Sequence, residues 1–154
     1  MKNDARTPGD AAALSNEQLQ RYSRQIVLPE VDEEGQQRLA CSRVLVLGLG
    51  GLGSPVATYL AAAGVGRLEL VDPDRVDVSN LHRQILHRTG TVGMAKTDSA
   101  RASLSALNPD VEIVTHASRL HGGELHDAVA GADLVVDGTD NFESRFELNR
   151  ACVT

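Results

Sequence analysis

A chain of 154 residues with 42% hydrophobic and 23% charged content is long enough to bury a core and sits in the ordinary range for one globular domain. Its 15 Lys+Arg against 21 Asp+Glu leave a net charge of −6, which argues against a nucleic-acid binder held by a basic face. Aromatic residues at 3%, with no Trp, argue against a base-stacking platform for single strands. No apolar run reaches the length of a membrane span, and the first residues lack the charged-then-apolar layout of a signal peptide. Two cysteines far apart, Cys41 and Cys152, form neither a disulfide framework nor a CxxC pair; both read as structural, and a reduced, cytoplasmic setting is expected.

Residues 1–13, polar with Pro8, Gly9 and a short alanine run, read as a disordered tail. Residues 14–42 form a helical segment. Ser15 and Gln18 have the spacing of a capping box, so a helix starts there and carries Arg21 and Arg24 on one face beside Tyr22. Taken alone, those arginines read as a solvated basic face. Pro29 ends this helix, and a second short one is expected over 32–40.

The remainder, 43–154, alternates strands and helices. An apolar run of branched residues at 44–47 stops at the glycine cluster GLGGLG, 48–53. A helix over 55–63 follows, with Val56, Tyr59, Leu60 and Ala63 as its apolar stripe and Gly64 as its C-cap. A second strand over 68–71 ends at Asp72, completing a right-handed βαβ unit. Residues 80–88 suggest a short helix, broken at Thr89 and Gly90. A longer helix is expected over 94–107, with Ala100, Leu104 and Leu107 buried. A third strand over 111–114, a helix over 124–130, a fourth strand over 133–137 and a last helix from 142 complete the pattern, Phe142, Phe146 and Val153 forming that helix's buried stripe. The fold class is α/β: a Rossmann-like, open, mainly parallel sheet with flanking helices.

Ligands of such sheets bind beyond the C-terminal ends of the strands, so the glycine turn, Asp72 and residues 138–141 should face one crevice. Free N–H groups and the helix dipole at the turn favour a phosphate, and the glycines allow close backbone approach. Asp72 suits a ribose. Asp140 reads either as a ligand for Mg²⁺ bridging phosphates or as the N-cap of the last helix. Arg83 and Lys96 are placed to reach phosphates, though either taken singly reads as solvated. His82, His87, His116, His121 and His126 have no metal-ligand spacing and read as surface or packing residues. Physical chemistry leaves NAD and ATP both open here. The glycines and Asp72 permit an NAD-dependent oxidoreductase, whereas a triphosphate under attack calls for several cations and a metal, which Arg24, Arg83, Lys96 and Asp140 would supply.

Six ordered blocks go further: RYSRQI at 21–26, GLGGLG at 48–53, VD at 71–72, SNLHRQ at 79–84, VGMAK at 92–96 and DGTDN at 137–141. Together they resemble the bacterial adenylyltransferases related to ubiquitin-activating enzymes, which act on sulfur-carrier proteins in molybdopterin and thiazole synthesis; the likeness is greatest to the molybdopterin-synthase type. The resemblance implies ATP and Mg²⁺ as ligands and adenylation of the C-terminal glycine carboxylate of a ubiquitin-like carrier. It makes Gly48, Gly50, Gly51 and Gly53 the turn at the ATP phosphates and Asp72 the ribose ligand. Asn80, Arg83, Gln84 and Lys96 become nucleotide contacts, and Asp140 the Mg²⁺ ligand. Arg24 becomes an arginine finger delivered into a partner subunit's site, so a homodimer is implied, with no nucleic-acid or membrane partner.

The likeness also has a departure. Members of that family are longer, and their second half supplies more of the sheet, two CxxC pairs for a structural zinc and much of the carrier-docking surface. Those zinc ligands do not occur in these 154 residues. The expectation is therefore a nucleotide-binding half of the family's domain, apparently truncated. A non-catalytic fragment that binds nucleotide or dimerises stands beside the active enzyme as the alternative.

Overall fold

The computed structural model describes residues 13–153. The tail expected over 1–13 lies, apart from Ala13, outside the described residues. The elements run α1 (Asn16–Arg21), α2 (Ser23–Ile26), α3 (Asp32–Cys41), β1 (Arg43–Leu47), α4 (Gly53–Ala63), β2 (Arg67–Val71), α5 (Lys96–Leu107), β3 (Glu112–His116), α6 (Gly122–Ala130), β4 (Leu134–Asp137) and α7 (Phe142–Val153). The four strands form one parallel sheet in the order β3-β2-β1-β4. This is an open Rossmann-like α/β fold, its order reversing beside β1, where such sheets bind ligands.

Alternation along the strands divides the core in two. Val44, Val46, Leu68 and Leu70 pack with Ala57 and Ala61 of α4 and Ala100 and Leu104 of α5. Leu45, Leu47 and Val71 pack on the other face with Leu120, Leu125 of α6 and Leu148 of α7. The N-terminal helices are tied to the first layer by polar groups. The buried Tyr22 hydroxyl accepts from Asn108 Nδ2 at 2.8 Å, and Gln25 and Gln36 both donate to the Ala63 carbonyl, at 2.9 and 3.0 Å. The capping box at Ser15 and Gln18 is formed, and Gly64 closes α4 in the left-handed conformation, at φ 84°.

Several local expectations change. The buried face of α4 is Gly53, Ser54, Ala57 and Ala61, whereas Tyr59 is exposed; small residues face the sheet because the helix lies close against it. Residues 80–88 form turns following a 3-10 turn at Val78–Asn80, because Gln84, Leu86 and His87 are drawn inward by tertiary packing. The helix expected from residue 94 starts at Lys96: Val76 donates to the Met94 carbonyl and Gly93 to the Val76 carbonyl, both at 2.9 Å, so residues 93–95 pair across to 75–76 instead. The stripe expected on α7 faces outward. Phe142, Phe146 and Val153 are 75%, 63% and 77% exposed, and Leu148 is the helix's buried residue. Leu107 is likewise exposed at the end of α5.

Candidate functional site: a crevice beyond the strand ends

A crevice of about 590 Å³ opens beyond the C-terminal ends of β1, β2 and β4. The glycine turn contributes Gly48, Gly50 and Gly51; the β2 end contributes Asp72 and Asp74; the β4 end contributes Gly138, Thr139, Asp140 and Asn141. Arg83, Gln84 and Lys96 line it as well. Of the residues singled out by sequence, Gly53, Asn80 and Arg24 are not among the lining.

The turn is fixed by contacts that exclude side chains. Gly48 has φ 85°, and a Cβ there would sit 2.6 Å from the Gly138 carbonyl oxygen. A Cβ on Gly53 would come within 1.8 Å of the Gly48 carbonyl oxygen. These two glycines therefore pack the strand ends together, while Gly50 and Gly51 present backbone to the crevice. The intervening Leu49 is held on both sides of its backbone: its N–H donates to Asp72 Oδ2 at 2.7 Å, and its carbonyl accepts from Ser54 Oγ at 2.7 Å and lies 3.2 Å from His87 Nε2. Burial holds His87 below its ordinary value of 6.5, so the ring is neutral near pH 7. A neutral ring donating from Nε2 to Leu49 leaves Nδ1 to accept from Ser99 Oγ, 3.0 Å away. Among the described residues, the amides of Gly50, Gly51, Leu52 and Gly53 donate to no carbonyl, which leaves an anion-binding edge at the start of α4.

Around this edge the charges are paired in particular ways. Asp72 is 3% exposed; its Oδ1 accepts from the Asp74 N–H at 2.8 Å and lies 3.9 Å from Lys96 Nζ. Lys96, 5% exposed, donates to Asp74 Oδ2 at 2.9 Å. A buried ammonium at the first position of a helix opposes the helix dipole, and the two aspartates offset that cost. Arg83 donates to Asn80 Oδ1 at 2.7 Å, so Asn80 steadies the guanidinium from outside the crevice. Gln84 is buried, and its Oε1 lacks a hydrogen-bond partner.

Asp140 stands apart. It is exposed, lines the crevice and, among the described residues, has no hydrogen-bond or ion-pair partner. The capping of α7 is done by Asn141, whose Oδ1 accepts from the Ser144 N–H at 2.9 Å, while Asp137 is engaged with Thr139. That removes the capping explanation for Asp140. No group of three or more His, Cys, Asp or Glu suited to a metal forms among the described residues. A single open carboxylate in the same crevice as the unbonded turn amides would suit Mg²⁺, which takes one or two carboxylates with phosphate and water completing its shell.

Among the lining residues that sequence did not assign to the crevice are Arg119, His121, Arg145 and Glu147. His121 Nδ1 lies 3.0 Å from Glu147 Oε2, and the Gly122 N–H donates to Glu147 Oε1 at 3.2 Å. The Gly122 amide and then His121 hold the Glu147 carboxyl below its ordinary value. Arg145 donates to the Thr139 carbonyl at 2.8 Å. Applying the strand-end rule to the third strand as well would have found Arg119 and His121; nothing in the spacing marks Arg145 or Glu147. No helix among the described residues is long and apolar enough to cross a membrane.

Known proteins bear on this site. Residues 22–154 match the ThiF family. The chain is 54% identical over 142 residues to adenylyltransferase and sulfurtransferase MOCS3 of Sus scrofa, covering 92% of this chain and 31% of that protein. It is 50% identical over 140 residues to SAMP-activating enzyme E1 of Haloferax volcanii, covering 91% and 52%. It is 48% identical over 143 residues to the probable adenylyltransferase/sulfurtransferase MoeZ of Mycobacterium tuberculosis, covering 93% and 36%. The chain thus spans between about a third and a half of the length of these relatives. Among solved structures, it superposes on E. coli tRNA N6-threonylcarbamoyladenosine dehydratase, TcdA, in complex with ATP, with TM-score 0.82 and 28% identity over 92% of this chain and 58% of that one.

Proposed function

The chain belongs to the ThiF family, and from that premise we propose that it is the ATP-binding part of an adenylyltransferase acting on the C-terminal glycine carboxylate of a ubiquitin-like sulfur-carrier protein, of the kind used in molybdopterin or thiazole synthesis. One observation carries the reading. The unbonded amides of the glycine turn, the cations Arg83 and Lys96, and the open carboxylate of Asp140 meet in a single crevice. The ATP complex of a solved relative with the same fold supports the choice of nucleotide.

In that reaction a carboxylate oxygen of the carrier attacks the α-phosphorus of ATP, the bond to the β-phosphate oxygen breaks, and acyl-adenylate and pyrophosphate leave. The nucleophile is already ionised at neutral pH, so no general base is required; orientation and charge neutralisation carry the rate. The turn amides hold phosphate oxygens. Arg83, steadied by Asn80, and Lys96, drawn from its pairing with Asp74, offset the charge that develops on the departing pyrophosphate. Asp72 accepts from the ribose with the lone pairs its backbone donors leave free. Asp140 would hold Mg²⁺, which would supply neutralisation of the phosphate oxygens. Arg24, exposed on α2 and outside this chain's own crevice, is assigned to the crevice of a second copy; exposed Val27 and Leu28 beside it give that homodimer contact an apolar component. The free thiols of Cys41 and Cys152 fit a cytoplasmic setting.

Calorimetry tests the nucleotide: ATP binds in the presence of Mg²⁺, more weakly without it, and NAD does not compete. Carrier-dependent ATP–pyrophosphate exchange tests the chemistry. Arg83→Ala and Asp140→Ala each lower it by about 10²- to 10³-fold, the scale for removing one preorganised electrostatic partner of a transition state. Unchanged exchange in both variants would remove the assigned roles, and ATP binding without any exchange would mark a nucleotide-binding module.

A further inference from the structure

The cations that line the crevice differ in one respect. Arg83 is bonded to Asn80, Lys96 to Asp74, His121 to Glu147 and Arg145 to the Thr139 carbonyl. Arg119 alone has no hydrogen-bond or ion-pair partner among the described residues, although it is exposed and lines the same space. A guanidinium left unpaired among the described residues is available to a ligand.

Its place in the fold says which part of the ligand. The sheet runs β3-β2-β1-β4, with the phosphate-binding turn after β1 and the ribose acid Asp72 after β2. Arg119 follows β3, two strand spacings from the turn, or about 10 Å. A nucleotide whose phosphates lie at β1 and whose ribose lies at β2 carries its base onward to β3. The surface there suits a base and not an anion. Beside Arg119 the crevice is lined by Val71, Leu120 and Leu125, apolar members of the core layer under α6. An apolar lining that carries a planar, weakly hydrated and unpaired cation suits an aromatic base, because guanidinium groups stack on aromatic faces where an ammonium acts only as a point charge.

We propose that Arg119 stacks on the purine base of the bound nucleotide, holding it against Val71, Leu120 and Leu125, and so sets affinity for the base end of ATP separately from the phosphate end. This rests on the ATP reading above. The test compares ATP with inorganic tripolyphosphate, which keeps the phosphates and lacks the base, both with Mg²⁺ and by calorimetry on the whole chain. Arg119→Ala weakens ATP about fivefold, as expected for one partly exposed cation–π contact, and leaves tripolyphosphate affinity unchanged. Arg119→Lys fails to restore ATP affinity. The melting temperature of both variants stays at that of the unsubstituted chain, because the side chain has no partner to lose among the described residues. ATP affinity unaffected by Arg119→Ala would overturn the assignment alone, as would an equal loss of ATP and tripolyphosphate rescued by Arg119→Lys, which would make Arg119 a phosphate contact. An unsubstituted chain that binds no ATP would overturn the nucleotide reading and this assignment together.

Discussion

The glycine turn and helix α7 border the same crevice and are built in opposite ways. Under the turn, polar side chains are inside: Ser54, Asp72, Gln84, His87, Lys96, Thr97 and Ser99 are all buried. Along α7, apolar side chains are outside: Phe142 and Phe146 stack on one another with ring centroids 6.4 Å apart, both exposed, and the exposed Leu134 begins the adjoining strand β4. The buried polar groups cannot exchange partners with water, so each bond they make fixes the backbone it touches. Leu49, bonded from Asp72, Ser54 and His87, is the clearest case. The glycine-turn side of the crevice is thus preorganised, whereas the α7 side has a single buried residue, Leu148, to anchor its helix. Rigidity here follows the satisfied members of this polar network, Gln84 Oε1 and Thr97 Oγ1 being atoms left without a partner among the described residues.

Substitutions on the two sides sharpen that contrast. Gly53→Ala has the largest expected effect: the new Cβ meets the Gly48 carbonyl oxygen at 1.8 Å, and neither backbone segment has room to retreat. A cost of about 3 kcal/mol, at the upper end for overpacking, lowers the melting temperature by about 6–12 °C in a domain of this size. ATP binding falls with it. A Gly53→Ala chain with unchanged melting and binding would show that the turn is not rigid.

Next is His87. His87→Ala removes the buried ring that supports the Leu49 carbonyl and costs about 2 kcal/mol by thermal or urea unfolding. Its titration gives the pH dependence. The folded-state value lies below the ordinary 6.5, so between the two the unfolded chain binds more protons than the folded one. His87 therefore contributes stability that is fully present above pH 6.5 and is lost as pH falls toward its depressed folded value. The decline in melting temperature on acidification should be shallower in His87→Gln. Equal slopes would place the acid sensitivity elsewhere.

The smallest effect is expected at α7. Phe146→Ser leaves stability within about 0.5 kcal/mol, because an exposed ring loses little on truncation. Amide hydrogen exchange should be faster in α7 and β4 than in β1 and β2, reflecting the thinner apolar cover. Matching protection on both sides would dissolve the comparison.

Most of the fold was legible because its signals are local. A branched apolar run marked β1, Gly64 marked the end of α4, and Ser15 with Gln18 marked the start of α1; each depends on a few neighbouring residues. The misreadings fall where partners are distant in sequence. Nothing near residues 80–88 announces that Gln84 and His87 turn inward to the glycine turn, and nothing near Met94 announces its pairing with Val76. For α7, an amphipathic pattern identified the helix but not the side that would be covered, since periodicity gives a face and not its partner.

The candidate site divides the same way. The residue types beyond the strand ends, with Asp72, Asp140, Arg83 and Lys96 among them, were readable from strand–turn–helix order, because that order dictates which ends meet. Which of them is free and which is occupied was decided only by the tertiary structure. Asn141 takes the capping bond, Asp74 takes Lys96 and Asn80 holds Arg83 from outside, while among the described residues Asp140 and Arg119 are left without a partner. A sequence names the groups that can donate and accept. How those bonds are shared out depends on distances of a few ångströms between segments far apart along the chain, and only folding sets those distances.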